Sequence, residues 1–452
     1  MTDSSPRAEK LAREAVEQVL TTQWDQVPAI VVNSGPGAGK TGIVERVAAL
    51  TVSRLQERCM IATQTNEQAF DLARRIANRY SGFETLLLAR EGLPLPADLP
   101  LLPRLRVIHR ATDFPEGACV VVGNAAKWSW LDAHTPLFDV QLVDEAFQLP
   151  DYRFQLIAGL ARRFALVGDP GQIDPVIRCE LERWRSDPAG PHVPAPIALL
   201  QRHPGLPLIK LPVSRRLVAD SVSFVQPAFY PDMPFQALGG QRSLSFDLPG
   251  VLPIDATLDA AARGASITFL QLPACVVGEA DEQLAAIMVR GIRRLLERRA
   301  VVTNDAAPQQ LTPEMIGVTC AHVSQVGAVR ELLGRELNGV LVETANRFQG
   351  LERPVMFVYH PLSGRSDANA FHLDAGRLCV MLSRHRIACF VFGRDGITRQ
   401  LFRYAPVGDR ALRIPGDPEF RGWRAHLYLM EALTRAGRIY PIRPEERIRR
   451  RA

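Results

Sequence analysis

Gly35-Pro36-Gly37-Ala38-Gly39-Lys40-Thr41 follows the apolar run Ala29-Ile30-Val31-Val32, and its residue types suit one task, cradling a polyphosphate. Glycines let backbone N–H groups turn inward around phosphate oxygens, and a helix starting at the lysine adds the positive end of its dipole. Lys40 would bridge the β- and γ-phosphates and the Thr41 hydroxyl would hold Mg²⁺. Gly35, Gly37 and Gly39 shape the loop, while Ser34 stands where the strict G-x-x-x-x-G-K-[ST] pattern has its first glycine. The chain has only four lysines among 54 basic residues, so a lysine at this position suggests that the compact ammonium itself is wanted.

Two further segments carry groups that such a loop would need. Leu142-Val143-Asp144-Glu145 ends an apolar run with two carboxylates; the first would hold Mg²⁺ beside Thr41, and the second would polarise an attacking water. Ala165-Leu166-Val167-Gly168-Asp169-Pro170-Gly171-Gln172 is another apolar run with a polar turn, and Gln172 is placed to sense a γ-phosphate.

These groups need strands that end together. Strand signals at Cys59–Thr63, Leu105–Ile108, Cys119–Val122, Val140–Val143 and Phe164–Val167 alternate with helical ones at Thr41–Arg58 and Asn66–Tyr80, after an amphipathic stretch at residues 8–20. Prolines gather from about 176 to 207 and suggest a linker. A second series follows, with strands expected at Ser266–Leu270, Met315–Thr319, Val340–Thr344, Val355–Tyr359 and Cys389–Phe392. Its helices are expected at Asp281–Arg299, Gln325–Arg335 and Ala375–Arg384, and residues 301–313 read as a polar loop. The pattern predicts two tandem α/β domains, 1–175 and 208–400, each a doubly wound parallel sheet with helices on both faces. Residues 401–452 read as an arginine-rich tail.

Composition sets the outer bounds. With 452 residues, 47% of them hydrophobic and 23% charged, the chain is an ordinary globular protein with room for two or three domains. It has no eighteen-residue apolar run and no secretory signal pattern at its N-terminus. Seven scattered cysteines without a C-x-x-C pair, and nine histidines without ligand spacing, point to a reduced cytoplasmic protein without structural zinc. The net charge of +6 resides in residues 401–452, with five arginines between 443 and 451. That is compatible with an extra phosphate contact or a protein partner, although a solvated terminus is the plainer reading. Trp128 and Trp130 are read as core residues in preference to base-stacking platforms.

The order of segments resembles a superfamily 1 helicase, most of all the branch containing the nonsense-mediated-decay RNA helicase. Ile61-Ala62-Thr63-Gln64-Thr65-Asn66 is similar to motif Ia, Asp144–Gln148 to motif II and Gly168–Gln172 to motif III. Leu211–Arg216 resembles motif IV, Val342–Glu352 motif V and Gly376–Arg386 motif VI. The resemblance implies two RecA-like lobes using ATP and Mg²⁺. It makes Thr63, Thr65, Asn66 and Thr344 nucleic-acid contacts, Gly350 and Glu352 nucleotide contacts, Arg216 a γ-phosphate arginine and Arg384 an arginine finger. The chain departs from the family at Ala12, where a glutamine usually meets adenine, at Cys379 for asparagine and at His385 for alanine. The activity implied is an ATP-dependent helicase or translocase on single-stranded nucleic acid, DNA favoured over RNA, moving 5′ to 3′. The rival reading is a nucleotide-gated clamp or assembly factor that does not separate strands, because strand-separating insertions are short. A metabolic phosphate-loop kinase leaves motifs IV to VI without a role.

Overall fold

The computed structural model describes residues 4–442 apart from 176, 178, 179, 181, 185, 186, 279 and 406–417; arginines 443 to 451 lie outside the described residues. Contacts divide the chain into two units, Glu9–Pro170 with Asp174–Val213, and Ser214–Ala452 with Met1–Ala8 and Gly171–Ile173.

The first unit is built on strands β1 (Ala29–Ser34), β2 (Cys59–Thr63), β3 (Thr85–Leu88), β4 (Leu105–Ile108), β5 (Val120–Asn124), β6 (Phe138–Val143), β7 (Ala161–Gly168) and β8 (Leu208–Leu211). They form one sheet in the order β4-β3-β5-β2-β6-β7-β1-β8, and every pairing in it is parallel. Near-continuous apolar residues in β1, β2 and β5 are what burial on both faces demands. Alternation sends Ile30, Ile61 and Leu142 into one core with helices Lys40–Ser53 and Asn66–Arg79. Met60, Ala62 and Val143 go into the other, with Phe154 and Trp128. Thr65 starts the helix Asn66–Arg79 with a capping box, its side chain accepting from the Gln68 N–H while the Gln68 side chain accepts from the Thr65 N–H.

Two places in this unit differ from expectation. Thr85–Leu88 adds a strand that the sequence hides in a short run beside a proline-rich segment. Leu208–Leu211, assigned by proline spacing to the second domain, pairs with β1 at the edge of the first sheet. The stretch before it holds the helix Ala195–Arg202, for which Pro196 at the first turn is a suitable residue.

A two-stranded pairing of β9 (Val213–Ser214) with β10 (Gln236–Ala237) follows. The second unit then has a small antiparallel sheet, β11 (Arg242–Phe246), β13 (Ala300–Asn304) and β14 (Gln309–Gln310), ordered β11-β13-β14. So part of 301–313, read as a loop, is strand: Ala300 and Val302 are buried on one face, while Val301, Thr303 and Asn304 are half-buried. The main sheet holds β12 (Ile267–Leu272), β15 (Ile316–Cys320), β16 (Leu341–Thr344), β17 (Arg353–Tyr359), β18 (His385–Arg394) and β19 (Ile439–Pro441), in the order β16-β15-β17-β18-β12-β19. Every pairing is again parallel. Its two faces carry separate cores, Leu270 and Phe357 with helix Glu282–Glu297, and Phe269 and Met356 with helix Ala375–Leu382. Both units are thus doubly wound parallel-sheet α/β domains.

The expected tail is, over 418–441, part of this domain. Ala425, Leu429 and Leu433 repeat every four residues and are buried along the helix Pro418–Arg435, and β19 joins the sheet edge beside β12. Arg421, Arg424 and Arg435 flank this stripe and give the segment its basic composition.

Candidate nucleotide site and the arginine group of the second unit

The turn between β1 and the helix Lys40–Ser53 is set by its glycines. Gly37 has φ 70° and Gly39 φ 89°, left-handed conformations that cost an L side chain energy and glycine almost none. Gly39 is the N-cap and offers no side-chain hydrogen bond, so the first N–H groups of the helix await an external acceptor. A phosphate group would satisfy them. Ser34, in the first-glycine position, is buried, and its hydroxyl donates to the Gly168 carbonyl at 3.0 Å, tying β1 to β7 below the loop.

Carboxylates converge on this turn. Lys40 Nζ is 3.4 Å from Glu145 Oε1 and 3.7 Å from Asp169 Oδ2. The Thr41 hydroxyl donates to Asp144 Oδ2 at 3.4 Å, so the two residues expected to hold Mg²⁺ stand side by side. Among the described residues no three His, Cys, Asp or Glu could cage a metal; an ion here would need phosphate and water as its other ligands, as Mg²⁺ often does. Burial pushes the Asp144 carboxyl up to about 7, the adjacent Glu145 pushes the same way, and Lys40, the Glu145 N–H and Thr41 oppose. Glu145 itself has φ 51° and ψ 44°, a left-handed backbone at a residue with a side chain. Such strain is found where a side chain must be aimed.

The motif Ia residues divide. Thr63 is fully buried, with its hydroxyl on the Thr65 carbonyl at 2.9 Å, and Thr65 caps a helix. The Asn66 side-chain oxygen accepts from Asn124. Gln64, not singled out from sequence, reaches the Asp144 carbonyl at 3.4 Å and links this segment to the carboxylates. Trp128 is buried, donating to the Ile61 carbonyl at 3.0 Å, whereas Trp130 is 85% exposed, against the core reading.

In the second unit Glu352 organises the arginines. It accepts from Arg216 Nε and from Arg386 Nε, both at 2.6 Å, and Arg216 also donates to the Ser383 carbonyl at 3.3 Å. Burial pushes the Glu352 carboxyl up, but Arg216 and Arg386 together outweigh it and hold the group below its ordinary range. Arg386 was missed as a site residue; its position two after Arg384 was the available signal. Arg384 is 1% exposed at the turn between helix Ala375–Leu382 and β18. Gly350 has φ 81° and Thr344 ends β16 half-buried. Gln172 belongs to this unit and is buried. A methyl group on Gly376 would come within 2.4 Å of the Gln172 carbonyl oxygen, so only glycine fits there. Cys379, in the asparagine position, has its thiol 3.3 Å from the Tyr230 hydroxyl.

Residues 13–178 match a family model described as an AAA domain, and residues 281–396 match a second AAA-domain model. One AAA-domain match thus falls mainly on the first unit and the other within the second. Among solved structures it is similar to the PRRSV helicase, at 15% identity over 84% of this chain and 54% of that one, TM-score 0.43. It is also similar to the arterivirus nonstructural protein 10 helicase, both in complex with DNA (15% identity, 84% and 63% coverage, TM-score 0.41) and alone (14%, 84% and 61%, TM-score 0.41). The chain therefore spans under two thirds of the length of these viral helicases. None of the curated proteins compared with it matches. No helix among the described residues is long and apolar enough to cross a membrane.

Proposed function

We propose that this chain is a helicase-type ATPase that moves along single-stranded nucleic acid. The observation that carries the reading is the meeting of Lys40, Thr41, Asp144 and Glu145 at one uncapped helix N-terminus. In the proposed cycle Gly35, Gly37, Gly39 and Lys40 bind the triphosphate, Thr41 and Asp144 hold Mg²⁺, and Glu145 takes a proton from the attacking water. Bound Mg²⁺ supplies charge that offsets the developing negative charge on phosphate. Arg216, Arg384 and Gln172 answer to the γ-phosphate, and Gly350 and Glu352 to the nucleotide, with Glu352 keeping Arg216 in place. Because arginine is always charged and forks two donors, it suits this task.

Thr65, Asn66 and Thr344 are the proposed strand contacts, with Thr63 shaping the motif Ia turn from beneath. DNA is the favoured strand, movement is 5′ to 3′, and the protein is cytoplasmic. The arginines beyond residue 442 are a proposed accessory contact to phosphate or to a protein partner. The test is ATP turnover with and without single-stranded DNA, single-stranded RNA and duplex. Stimulation by a single strand is expected, and turnover indifferent to every nucleic acid would remove the reading.

A clamp or assembly ATPase is the second reading. It is favoured by the small size of the additions to the second sheet, of which the described part is the ribbon β11-β13-β14. Translocation without unwinding, measured on the same preparation, would support it.

A further inference from the structure

His385 stands where the resembled family has alanine, and a buried polar side chain must be satisfied or it destabilises the fold. It is fully buried at the start of β18, and its Nε2 lies 2.6 Å from the Ser221 hydroxyl. Ser221 Oγ is 2.7 Å from Ser266 Oγ, which is 2.7 Å from Asp220 Oδ2; the Ser266 N–H donates to the same oxygen at 2.8 Å. Asp220 Oδ1 in turn accepts from Arg438 at 3.0 Å, just before β19. Ser221 and Ser266 are both buried.

The carboxylate fixes every proton along this line. A carboxylate only accepts, so Ser266 donates to Asp220; Ser221 then donates to Ser266, and its own oxygen is left to accept from His385 Nε2–H. The imidazole is held neutral: burial pushes it down to about 3, with Arg216 acting the same way and the Leu382 carbonyl opposing. The competing arrangement puts the proton on Nδ1, toward that carbonyl. It would leave the Ser221–Ser266–Asp220 line one proton short, two oxygens 2.7 Å apart without a hydrogen between them.

Arg384 precedes His385 directly. Its carbonyl accepts from the Arg353 N–H at 3.0 Å, and Ser383 before it accepts from Arg216. We propose that His385 is a positioning residue for Arg384: the relay Asp220–Ser266–Ser221 clamps the imidazole, and the clamped ring fixes the turn from which the guanidinium projects. The proposal rests on the reading of Arg384 given above. It ties the turn to the helix Ala219–Phe229, to β12 and, through Arg438, to the C-terminal strand.

The test combines a spectroscopic and a kinetic measurement on the full chain. Nitrogen-15 histidine spectra should contain an Nε2–H imidazole that does not titrate above pH 5 and that is absent in His385→Gln and shifted in Ser221→Ala. An Nδ1–H tautomer for His385 would overturn the relay. His385→Ala should lower kcat about tenfold to a hundredfold, the scale expected when a reacting group is displaced, while KM for ATP stays within about twofold. His385→Gln, whose amide nitrogen reaches the Nε2 position, should restore most of the loss. If Arg384→Ala lowers kcat and a folded His385→Ala does not, the positioning role is wrong and the reading of Arg384 survives. If Arg384→Ala leaves kcat unchanged, the reading of Arg384 has failed first. Should His385→Ala not fold, Ser221→Ala carries the same kinetic prediction.

Discussion

The Lys40 ammonium lies 3.4 Å from the Glu145 carboxylate, though 105 positions separate them in the chain. A triphosphate arriving at the loop therefore competes with an internal anion for the same cation. Glu145→Gln removes that competitor and the proposed proton acceptor together. Turnover should fall by about 10² to 10⁴, the usual worth of a general base, while nucleotide binds at least as tightly as to the native protein. Turnover and nucleotide affinity, measured on one preparation, check both halves. Near-native turnover would dismiss Glu145 as the base.

Asp144 should make Mg²⁺ binding depend on pH. With its carboxyl pushed up to about 7 from 3.8, the folded protein holds a proton between those values that the unfolded chain has lost. Stability from this group therefore falls as pH rises from about 4 to 7. Thermal unfolding without metal should show this loss, and Asp144→Asn should flatten it. Below pH 7 an incoming Mg²⁺ must expel the proton, so apparent affinity should climb by up to about tenfold per pH unit and level off above. In Glu145→Gln, with one of the causes of the shift gone, the plateau should start at lower pH. An affinity flat between pH 5.5 and 8 would mean that Asp144 carries no proton for the metal to expel.

Glu352 and the arginines give a prediction that separates binding from chemistry. Arg384→Ala should reduce kcat by about 10³ or more, the worth of an arginine finger, with nucleotide binding retained. Glu352→Gln should be milder, because the amide can still accept one of the two hydrogen bonds it now receives from Arg216 and Arg386. The double variant Glu352→Gln, Arg216→Ala should lose less than the sum of its parts if the carboxylate acts through Arg216. Additive losses would mean that Glu352 works independently.

What could be read in advance was local, and what escaped depended on contacts distant in sequence. The phosphate loop announces itself through glycines whose φ values the turn requires, and β1, β2 and β5 through uninterrupted apolar runs. The pairing of Glu352 with both Arg216 and Arg386 spans 136 and 34 positions, and no spacing rule encodes it. Edge strands were hardest: Leu208–Leu211, with residues 208 and 210 exposed, shows only half the apolar pattern of a central strand. Proline density placed a boundary among 176–207, yet Ala195–Arg202 is a helix docked on the first unit, since proline at a first turn does not stop one. Arginine content likewise suggested a tail where Ala425, Leu429 and Leu433 form a buried stripe.

That last segment yields a stability prediction. The helix Pro418–Arg435 approaches its neighbour through Gly422, where a β-carbon would come within 1.8 Å of the Leu373 carbonyl oxygen. The clash would be with backbone, which cannot swing aside as a long side chain can. Leu373 lies in the short helix Ala370–Leu373, directly before Asp374, whose side chain caps helix Ala375–Leu382 by accepting from the Arg377 N–H at 3.0 Å. Gly422→Ala must therefore push the C-terminal helix outward or disturb the cap of the helix that leads to Arg384. Overpacking of this kind costs about 1–3 kcal/mol, and backbone contact puts the expectation at the upper end. Urea unfolding should show a lower midpoint, with a signal from the second unit moving and one from the first unchanged. An exposed glycine on a loose tail would accept alanine without effect, so an unchanged midpoint would return residues 418–435 to the tail reading.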